Sequence, residues 1–307
     1  MCVFLSKSID KYEGYGINDT SLSILPGKVC VTFFGTTTLL FDDGETQLLV
    51  DCFFTRPSIF EVLTKKIKTK TKTINDILSA YKINRLKGIF ITHSHYDHVL
   101  DAAYMAKVTS AQLYGSSSVL NIGRGGGLSE NQMYLYEAEN EITIGKFTVT
   151  ALKSIHSTRS RKIVNLDGAI SQPLKQPSKM AEYKEGGVYD ILIKHQGRSI
   201  LIKSSCNYIE NALDSVKADV VFLCVADLAE QDSSFQMNYY EQTIGKTKPS
   251  LVVPIHWDNF FIPLSEHLKA YPKFMCDVNK TFNFLIKKTE KDNIEFRILQ
   301  GKKHFLI

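Results

Sequence analysis

The segment that decides the fold is Thr92-His93-Ser94-His95-Tyr96-Asp97-His98, which follows a short apolar run typical of a strand. His93 and His95 are two residues apart at the end of that strand, and alternate residues of an extended chain share one side. Asp97 and His98 fall at the start of a predicted helix, whose first turn brings them back toward the same pocket. A carboxylate there also meets the positive end of the helix dipole. Four side chains of metal-ligand type are therefore expected to converge within six residues.

This cluster predicts a zinc site, because zinc in proteins takes neutral imidazole and carboxylate ligands. Three of the eight histidines in the chain lie within residues 93–98. The alternative is a polar, helix-capping loop that happens to be rich in histidine, and the spacing favours the metal. We expect Asp97 to be catalytic as well as a ligand, because its carboxylate would steer the attacking water.

Such a site needs further ligands from distant strand ends. His156 follows a strand predicted over residues 147–153, and His256 follows one over residues 251–255. Loops at strand ends are where scaffolds usually place functional groups. We therefore predict that both are ligands rather than satisfied core histidines. The remaining histidines are assigned ordinary positions, namely His195 in an exposed hairpin turn, His267 on a surface helix over residues 265–271 and His304 in the terminal segment.

Composition predicts one large domain. The chain has 307 residues, of which 44% are hydrophobic and 22% charged, as in ordinary globular proteins. Residues 1–27 are polar and are interpreted as an N-terminal extension. Residues 28–307 are interpreted as a single large domain. Antiparallel-type strands come early, whereas continuous apolar runs such as residues 220–225 are typical of strands buried on both faces. The predicted class is α/β (α+β), a two-sheet sandwich flanked by helices rather than a regular βαβ array.

Four local interpretations accompany this fold. Residues 121–127 include Gly123-Arg124-Gly125-Gly126-Gly127, which lacks the GK[ST] ending of a phosphate-binding loop and is interpreted as a flexible turn. Arg124 is the candidate for holding an anionic group of the substrate. Residues 157–187 form a long polar connection that we interpret as a flap over the site. Residues 282–287 are predicted to form a late strand.

The charge balance does not indicate a nucleic-acid partner. Net charge is +5, and the dense basic run at residues 65–72 is interpreted as a solvated face rather than an anion-binding patch. No stretch approaches the length of a membrane span. We therefore expect a small-molecule substrate and neither nucleic acid nor membrane as a partner, while oligomeric state is not indicated. Six scattered cysteines without a CxxC pair suit a reducing, cytoplasmic compartment, although a removed leader would leave the same sequence.

The segment His93-Ser94-His95-Tyr96-Asp97-His98 matches the HxHxDH signature of the metallo-β-lactamase superfamily. Leu48-Leu49-Val50-Asp51 is similar to the strand-plus-Asp element of that family. Pro254-Ile255-His256-Trp257-Asp258 resembles the PxHWD ending of the branch that includes proteins like ascorbate-6-phosphate lactonase. The resemblance covers about residues 28–300. It implies a four-layer αββα sandwich with the metal site at one edge.

The resemblance also implies two metal positions, one held by His93, His95 and His156 and the other by Asp97, His98 and His256. The family normally bridges them with a carboxylate after the strand corresponding to residues 199–203, but this chain has Ser204-Ser205-Cys206 there. Cys206 is either a ligand to the second metal, since thiolates bind zinc well, or a small buried residue beside a weak or absent second metal. We expect Asp51, Trp257 and Asp258 to orient the ligand residues without binding the metal themselves.

The implied activity is that of a zinc-dependent hydrolase with one or two ions, other divalent metals being alternatives. A metal-bound hydroxide would attack a lactone, ester, amide or phosphodiester. The absent bridging carboxylate favours a lactonase or phosphodiesterase over a β-lactamase. Two alternatives remain open, a metal-binding protein of the same fold without turnover and a di-iron oxidoreductase of the same fold.

Overall fold

Strands make up two seven-stranded sheets in the computed structural model, which describes residues 6–17, 24, 26–137, 139–158 and 166–307. The first sheet contains β1 (Cys30–Phe33), β2 (Leu39–Asp42), β3 (Gln47–Val50), β4 (Leu86–Phe90), β5 (Gln112–Gly115) and β6 (Met133–Leu135). The second contains β7 (Glu141–Ile144), β8 (Phe147–Ser154), β9 (Val188–His195), β10 (Arg198–Lys203), β11 (Val220–Cys224), β12 (Leu251–Ile255) and β13 (Glu295–Phe296). The last strand, β14 (His304–Leu306), returns to the first sheet beside β1.

Each sheet is antiparallel in one half and parallel in the other. In the first, β14, β1, β2 and β3 are antiparallel, and β3 to β6 are parallel. In the second, β7 to β10 form an antiparallel meander, and β10 to β13 are parallel. The carboxyl ends of neighbouring parallel strands meet at one sheet edge, where α/β proteins usually bind ligands. The loops after β4, β10, β11 and β12 therefore supply most of the site described below.

The two sheets pack face to face. The ring of Phe41 in β2 lies 6.3 Å from that of Phe222 in β11, and Phe222 lies 6.2 Å from Phe305 in β14. The four residues of β1 and the five of β11 are all buried, which explains why β11 is an unbroken apolar run in the sequence. The predicted two-sheet α+β sandwich is confirmed.

Helices cover the outer faces. They are α1 (Ile59–Thr64), α2 (Thr71–Ala80), α3 (Tyr96–Val99), α4 (Ala102–Thr109), α5 (Ser117–Gly125), α6 (Ser233–Tyr240) and α7 (Val278–Lys291). Shorter 3-10 turns lie at Asp10–Tyr15, Glu130–Gln132, Met180–Glu182 and Leu228–Glu230, and a π-helical turn lies at Glu241–Gly245. Helices α4 and α5 contact β4, β5 and β6, whereas α7 contacts β13. Within the described residues, no helix is long and apolar enough to cross a membrane.

The strand predicted over residues 282–287 is wrong, because those residues lie within α7. The Asp277 side chain caps this helix by accepting a hydrogen bond from the Lys280 N–H at 3.2 Å. Phe282, Leu285 and Ile286 recur at helical spacing and are all buried. The β-prone residues thus form the buried stripe of an amphipathic helix.

The flexible turn predicted at residues 121–127 is also wrong, because α5 continues to Gly125. A Cβ atom on Gly125 would overlap the Leu174 carbonyl oxygen, and one on Gly126 would collide with the Ala103 side chain. These glycines let the connection after β8 and helix α4 approach closely, which is a packing requirement rather than a source of flexibility.

The described part of the N-terminal segment packs on the sandwich. The Lys7 N–H donates to the Ala270 carbonyl at 3.1 Å. The Tyr12 hydroxyl donates to Asn283 Oδ1 at 2.9 Å, and its ring lies 5.2 Å from Phe282 of α7. Residues 1–5, 18–23 and 25, which the predicted extension also includes, lie outside the described residues.

Candidate metal centre

The histidine-rich segment forms the loop between β4 and α3. His93 and His95 lie in this loop, and Asp97 and His98 lie in the first turn of α3. His95 is the N-cap residue with extended backbone angles, φ −64° and ψ 148°, so the chain turns into the helix directly after it. All four side chains are buried. The loop therefore presents them to one interior pocket.

The first metal-type group consists of His93, His95 and His156, which we call the histidine triad. Its three candidate ligand atoms all lie within 4.8 Å of one another. His156 follows the end of β8, and its ring centroid is 4.6 Å from that of His95. The Nε2 atoms of His93 and His95 are buried and have no hydrogen-bond partner among the described residues. Buried polar atoms are normally paired, so these two nitrogens fit a bound cation.

The second group consists of Asp97, His98 and His256, which we call the mixed triad. Asp97 Oδ2 lies 3.4 Å from His256 Nε2 and 3.7 Å from His98 Nε2. His256 directly follows β12 with a positive φ of 60°, and its N–H donates to the Thr36 carbonyl at 2.7 Å. The centroid of the His98 ring is 3.8 Å from that of His93, so the two triads are adjacent.

Burial sets the protonation of this centre. It lowers the pKa of His93 and of His156 well below the usual range and that of His95 to about 4. Burial also opposes charging of His98, but the Asp51 and Asp97 carboxylates outweigh it and raise the pKa of that ring. Burial would raise the pKa of Asp97, yet the neighbouring His98 and His256 hold it below its ordinary value. The histidine triad is thus neutral and Asp97 ionised, as metal ligands must be.

The Asp51 carboxylate orients the His98 ring through its Nδ1 atom. Its Oδ2 lies 2.6 Å from His98 Nδ1, and it also accepts hydrogen bonds from the Thr92 N–H at 2.8 Å, the Thr92 hydroxyl at 2.9 Å and the Thr37 hydroxyl. The Nε2 atom of His98 is thereby left to face Asp97. Sequence reasoning found Asp51 but missed both threonines, although Thr92 stands next to the signature.

Asp258 supports His256 indirectly. It forms a buried ion pair with Arg56, 2.6 Å apart, and accepts the Thr36 N–H at 2.7 Å. Thr36 in turn accepts the His256 N–H, so Asp258 fixes the backbone that positions this ligand. Trp257 is fully buried and lies edge-on to Phe282 at 5.9 Å, which makes it a core anchor. Arg56 was missed, because no sequence pattern links two residues so far apart.

Neither triad includes Cys206, although this residue lines the same cavity. Burial raises the pKa of its thiol well above the usual range. Before it, Lys203 is buried and bonds to Asp190 Oδ2 at 3.0 Å and to Ser154 Oγ at 2.8 Å. Sequence reasoning missed Asp227, a carboxylate that follows β11, lines the cavity and accepts a 3.2 Å hydrogen bond from the Ser157 hydroxyl.

Arg124 lies on α5 and binds Glu130, with Nε 2.6 Å from Oε1. It is absent from the cavity lining among the residues that the structure describes.

From the predicted flap, Leu166, Asp167 and Met180 do line the cavity, whereas residues 159–165 lie outside the described chain.

The other histidines lie away from the triads. His195 is buried, with Nε2 3.1 Å from Asp43 Oδ2, so its predicted exposure is wrong. The hairpin of β9 and β10 folds onto the turn between β2 and β3, which an isolated hairpin sequence does not reveal. His267 is exposed, but its segment is irregular rather than helical, and His304 is buried in β14.

The family model described as the metallo-beta-lactamase superfamily matches residues 31–164. Over this part of its length the chain is similar to that superfamily. Curated relatives described as UPF0173 metal-dependent hydrolases include one from Anaeromyxobacter sp. (strain K), 24% identical over 258 residues, which are 82% of this chain and 84% of the relative. Another, from Christiangramia forsetii, is 34% identical over 92 residues, 30% of this chain and 34% of the relative. A third, from Heliobacterium modesticaldum, is 29% identical over 121 residues, 39% of this chain and 43% of the relative.

For these last two relatives, the match spans less than half of the relative's own length. Among solved structures, Igni18, a metallo hydrolase from Ignicoccus hospitalis, matches this chain with a TM-score of 0.60 at 15% identity, over 91% of this chain and 98% of that one. CmlA, a di-iron β-hydroxylase from Streptomyces venezuelae, matches this chain with a TM-score of 0.59 at 13% identity. The match covers 92% of this chain and 55% of CmlA. These likenesses establish the shared fold.

Proposed function

We propose that this protein is a metal-dependent hydrolase of the metallo-β-lactamase superfamily and that it holds two ions, one in each triad. Two buried nitrogens of residues that line the cavity, His93 Nε2 and His95 Nε2, have no hydrogen-bond partner within the described chain and support this proposal most directly. The relatives described as metal-dependent hydrolases support the same activity class.

The metal that fits best is zinc. The two triads offer five imidazoles and one carboxylate. Zinc favours such nitrogen-rich sets, whereas di-iron oxidation centres rely on more carboxylates. We propose that both ions bind without Cys206, because each triad already provides three ligands. The thiol then forms part of the cavity wall.

The bound metal and the protein side chains would have different roles in catalysis. When bound, the metal would act as a Lewis acid that polarises the substrate and makes water nucleophilic near neutral pH. Asp97 accepts a hydrogen bond from the attacking water and thereby orients it. Asp51 fixes the His98 ring, and Asp258 fixes the backbone before His256. The scissile group is a lactone, ester, amide or phosphodiester of a small molecule rather than nucleic acid.

The test begins with protein stripped by a chelator and reloaded with zinc. Hydrolysis of 4-nitrophenyl acetate and bis(4-nitrophenyl) phosphate is measured for the wild type, Asp97→Asn and the control His267→Ala, an exposed histidine outside the site. We expect zinc-dependent turnover of at least one substrate, a loss of about 100-fold or more in Asp97→Asn and none in the control. Zinc-loaded protein that hydrolyses neither substrate would favour metal binding without turnover.

A further inference from the structure

The cavity that contains both triads continues into an apolar cleft. The whole cavity has a volume of about 540 Å³, within the range of small-molecule sites. The cleft is lined by Ile59, Val62 and Leu63 of α1 and by Phe260, Phe261 and Phe274 of the segment between β12 and α7. A substrate at the metal centre therefore has an apolar surface directly beside it.

The cleft is anchored to the metal centre. The Phe260 ring lies 5.6 Å from that of His256, 5.9 Å from Phe53 and 6.2 Å from Tyr96. Helix α1 is fixed by a capping box in which Ser58 Oγ accepts the Glu61 N–H at 3.3 Å and Glu61 Oε2 accepts the Ser58 N–H at 2.8 Å. Both walls are thus held by defined packing, and the cleft is preformed.

The cleft has an unusually exposed rim. Leu63 is 66% exposed and Phe274 73% exposed, although both line the cavity. Large apolar side chains that flank a concave site usually mark where an apolar ligand binds. Phe60 is exposed to a similar degree, 63%, on the same helix, but it does not line the cavity, and the Lys65 ammonium lies 5.7 Å from its ring.

The charges of the lining favour an uncharged ligand. In the described part of the chain, the charged residues outside the histidines are Asp97, Asp167 and Asp227, and neither lysine nor arginine contributes. A ligand with an anionic end in the cleft would meet these carboxylates and would gain no cation from the described walls.

We infer that the substrate is a carboxylic ester or lactone with an unbranched apolar acyl chain, which lies in the cleft while its carbonyl faces the triads. This inference rests on the proposed hydrolase function and names its substrate class. In the reaction, water adds its oxygen to the acyl carbon and the acyl C–O bond breaks. The leaving oxygen takes up a proton, so an acid and an alcohol result.

The experiment uses zinc-loaded full-length protein and 4-nitrophenyl esters from acetyl to decanoyl. We expect kcat/KM to rise by about two- to fourfold per added methylene until the cleft is filled, since each methylene leaves water. A matched ester whose chain ends in a carboxylate should react more slowly than the methyl-ended ester of equal length. Equal rates for all chain lengths, or a preference for the charged chain, would overturn the inference.

Three variants localise the effect. Leu63→Ser and Phe274→Ser should each lower the octanoyl-to-acetyl ratio of kcat/KM by about three- to tenfold. Phe60→Ser is the matched control, since it removes an equally exposed apolar side chain outside the cavity, and it should keep the wild-type ratio. An unchanged ratio in both cleft variants would contradict the assignment of the cleft.

A binding measurement distinguishes failure of the hydrolase proposal from failure of the cleft assignment. Calorimetric titration of zinc-loaded protein with alkanoates from acetate to decanoate should show affinity that rises with chain length and falls in Leu63→Ser. If binding follows chain length but no ester is hydrolysed, the cleft assignment stands and the hydrolase proposal fails. If esters are hydrolysed without any dependence of rate or binding on chain length, the hydrolase stands and the cleft assignment fails.

Discussion

Replacing Asp51 by asparagine changes the support behind His98 while keeping the shape of the side chain. The Asp51 carboxylate receives hydrogen bonds from the Thr37 and Thr92 hydroxyls and from the Thr92 N–H, and it lies 2.6 Å from His98 Nδ1. Asparagine keeps one acceptor oxygen and turns an NH₂ group toward donors. At least one buried donor is then left without a partner, and His98 loses its ionic neighbour.

Two magnitudes follow. An unpaired buried donor costs about 1–3 kcal/mol, so the metal-free variant should be less stable by that amount. Loss of a carboxylate behind a ligand histidine typically weakens metal affinity by about 10- to 100-fold. That loss equals about 1.4–2.8 kcal/mol and should fall on the mixed triad, leaving the histidine triad nearly intact.

The assay is zinc titration against a chromophoric chelator, combined with thermal unfolding of the metal-free proteins. Asp101→Asn is the matched control, because Asp101 is equally buried and accepts the Phe54 N–H at 2.7 Å, the Thr55 N–H at 2.8 Å and the Thr55 hydroxyl at 2.6 Å, with no histidine among these donors. It should lose stability but keep zinc affinity. Wild-type zinc affinity in Asp51→Asn, or an equal loss of zinc affinity in Asp101→Asn, would show that Asp51 does not stabilise zinc binding through His98.

Three further outcomes are expected. Cys206→Ala should retain both zinc ions by plasma mass spectrometry, and the loss of one ion would make the thiol a ligand after all. His195→Ala should lower the free energy of unfolding by about 1–3 kcal/mol in urea without changing metal content, because Asp43 Oδ2 loses its partner at 3.1 Å while Oδ1 keeps the Glu45 and Thr46 N–H groups; an unchanged midpoint would contradict that pairing. Gly125→Ala should destabilise by about 1–3 kcal/mol, since its methyl group overlaps the Leu174 carbonyl, whereas wild-type stability would show that the connection can shift.

The part of the site that sequence predicts is the part set by local geometry. His93 and His95 share a side because the chain is extended there, and Asp97 and His98 join them because a helix begins at Tyr96. The mixed triad also needs His256, which was found because a continuous apolar run marks β12 and a histidine follows it. Strand ends meet at one edge of a sheet, so these distant histidines could be anticipated.

Features that depend on tertiary packing could not be predicted. The pair of Arg56 and Asp258 joins residues 202 positions apart, and neither residue type signals the other. Asp227 reaches the cavity only because β11 lies beside β10 in the sheet. The burial of His195 depends on contact between two turns, and the helical state of residues 282–287 depends on the face that α7 buries. In each case packing outweighed the local propensity.

If two separate triads hold metal, the number of bound ions should fall when either triad loses a ligand. Plasma mass spectrometry is applied to zinc-reconstituted, dialysed wild type and to His95→Ala and His256→Ala, one variant from each triad, with circular dichroism to confirm that each is folded. We expect two zinc ions per chain in the wild type and about one in each variant. A wild type without bound metal after reconstitution, or two ions retained in both folded variants, would contradict it.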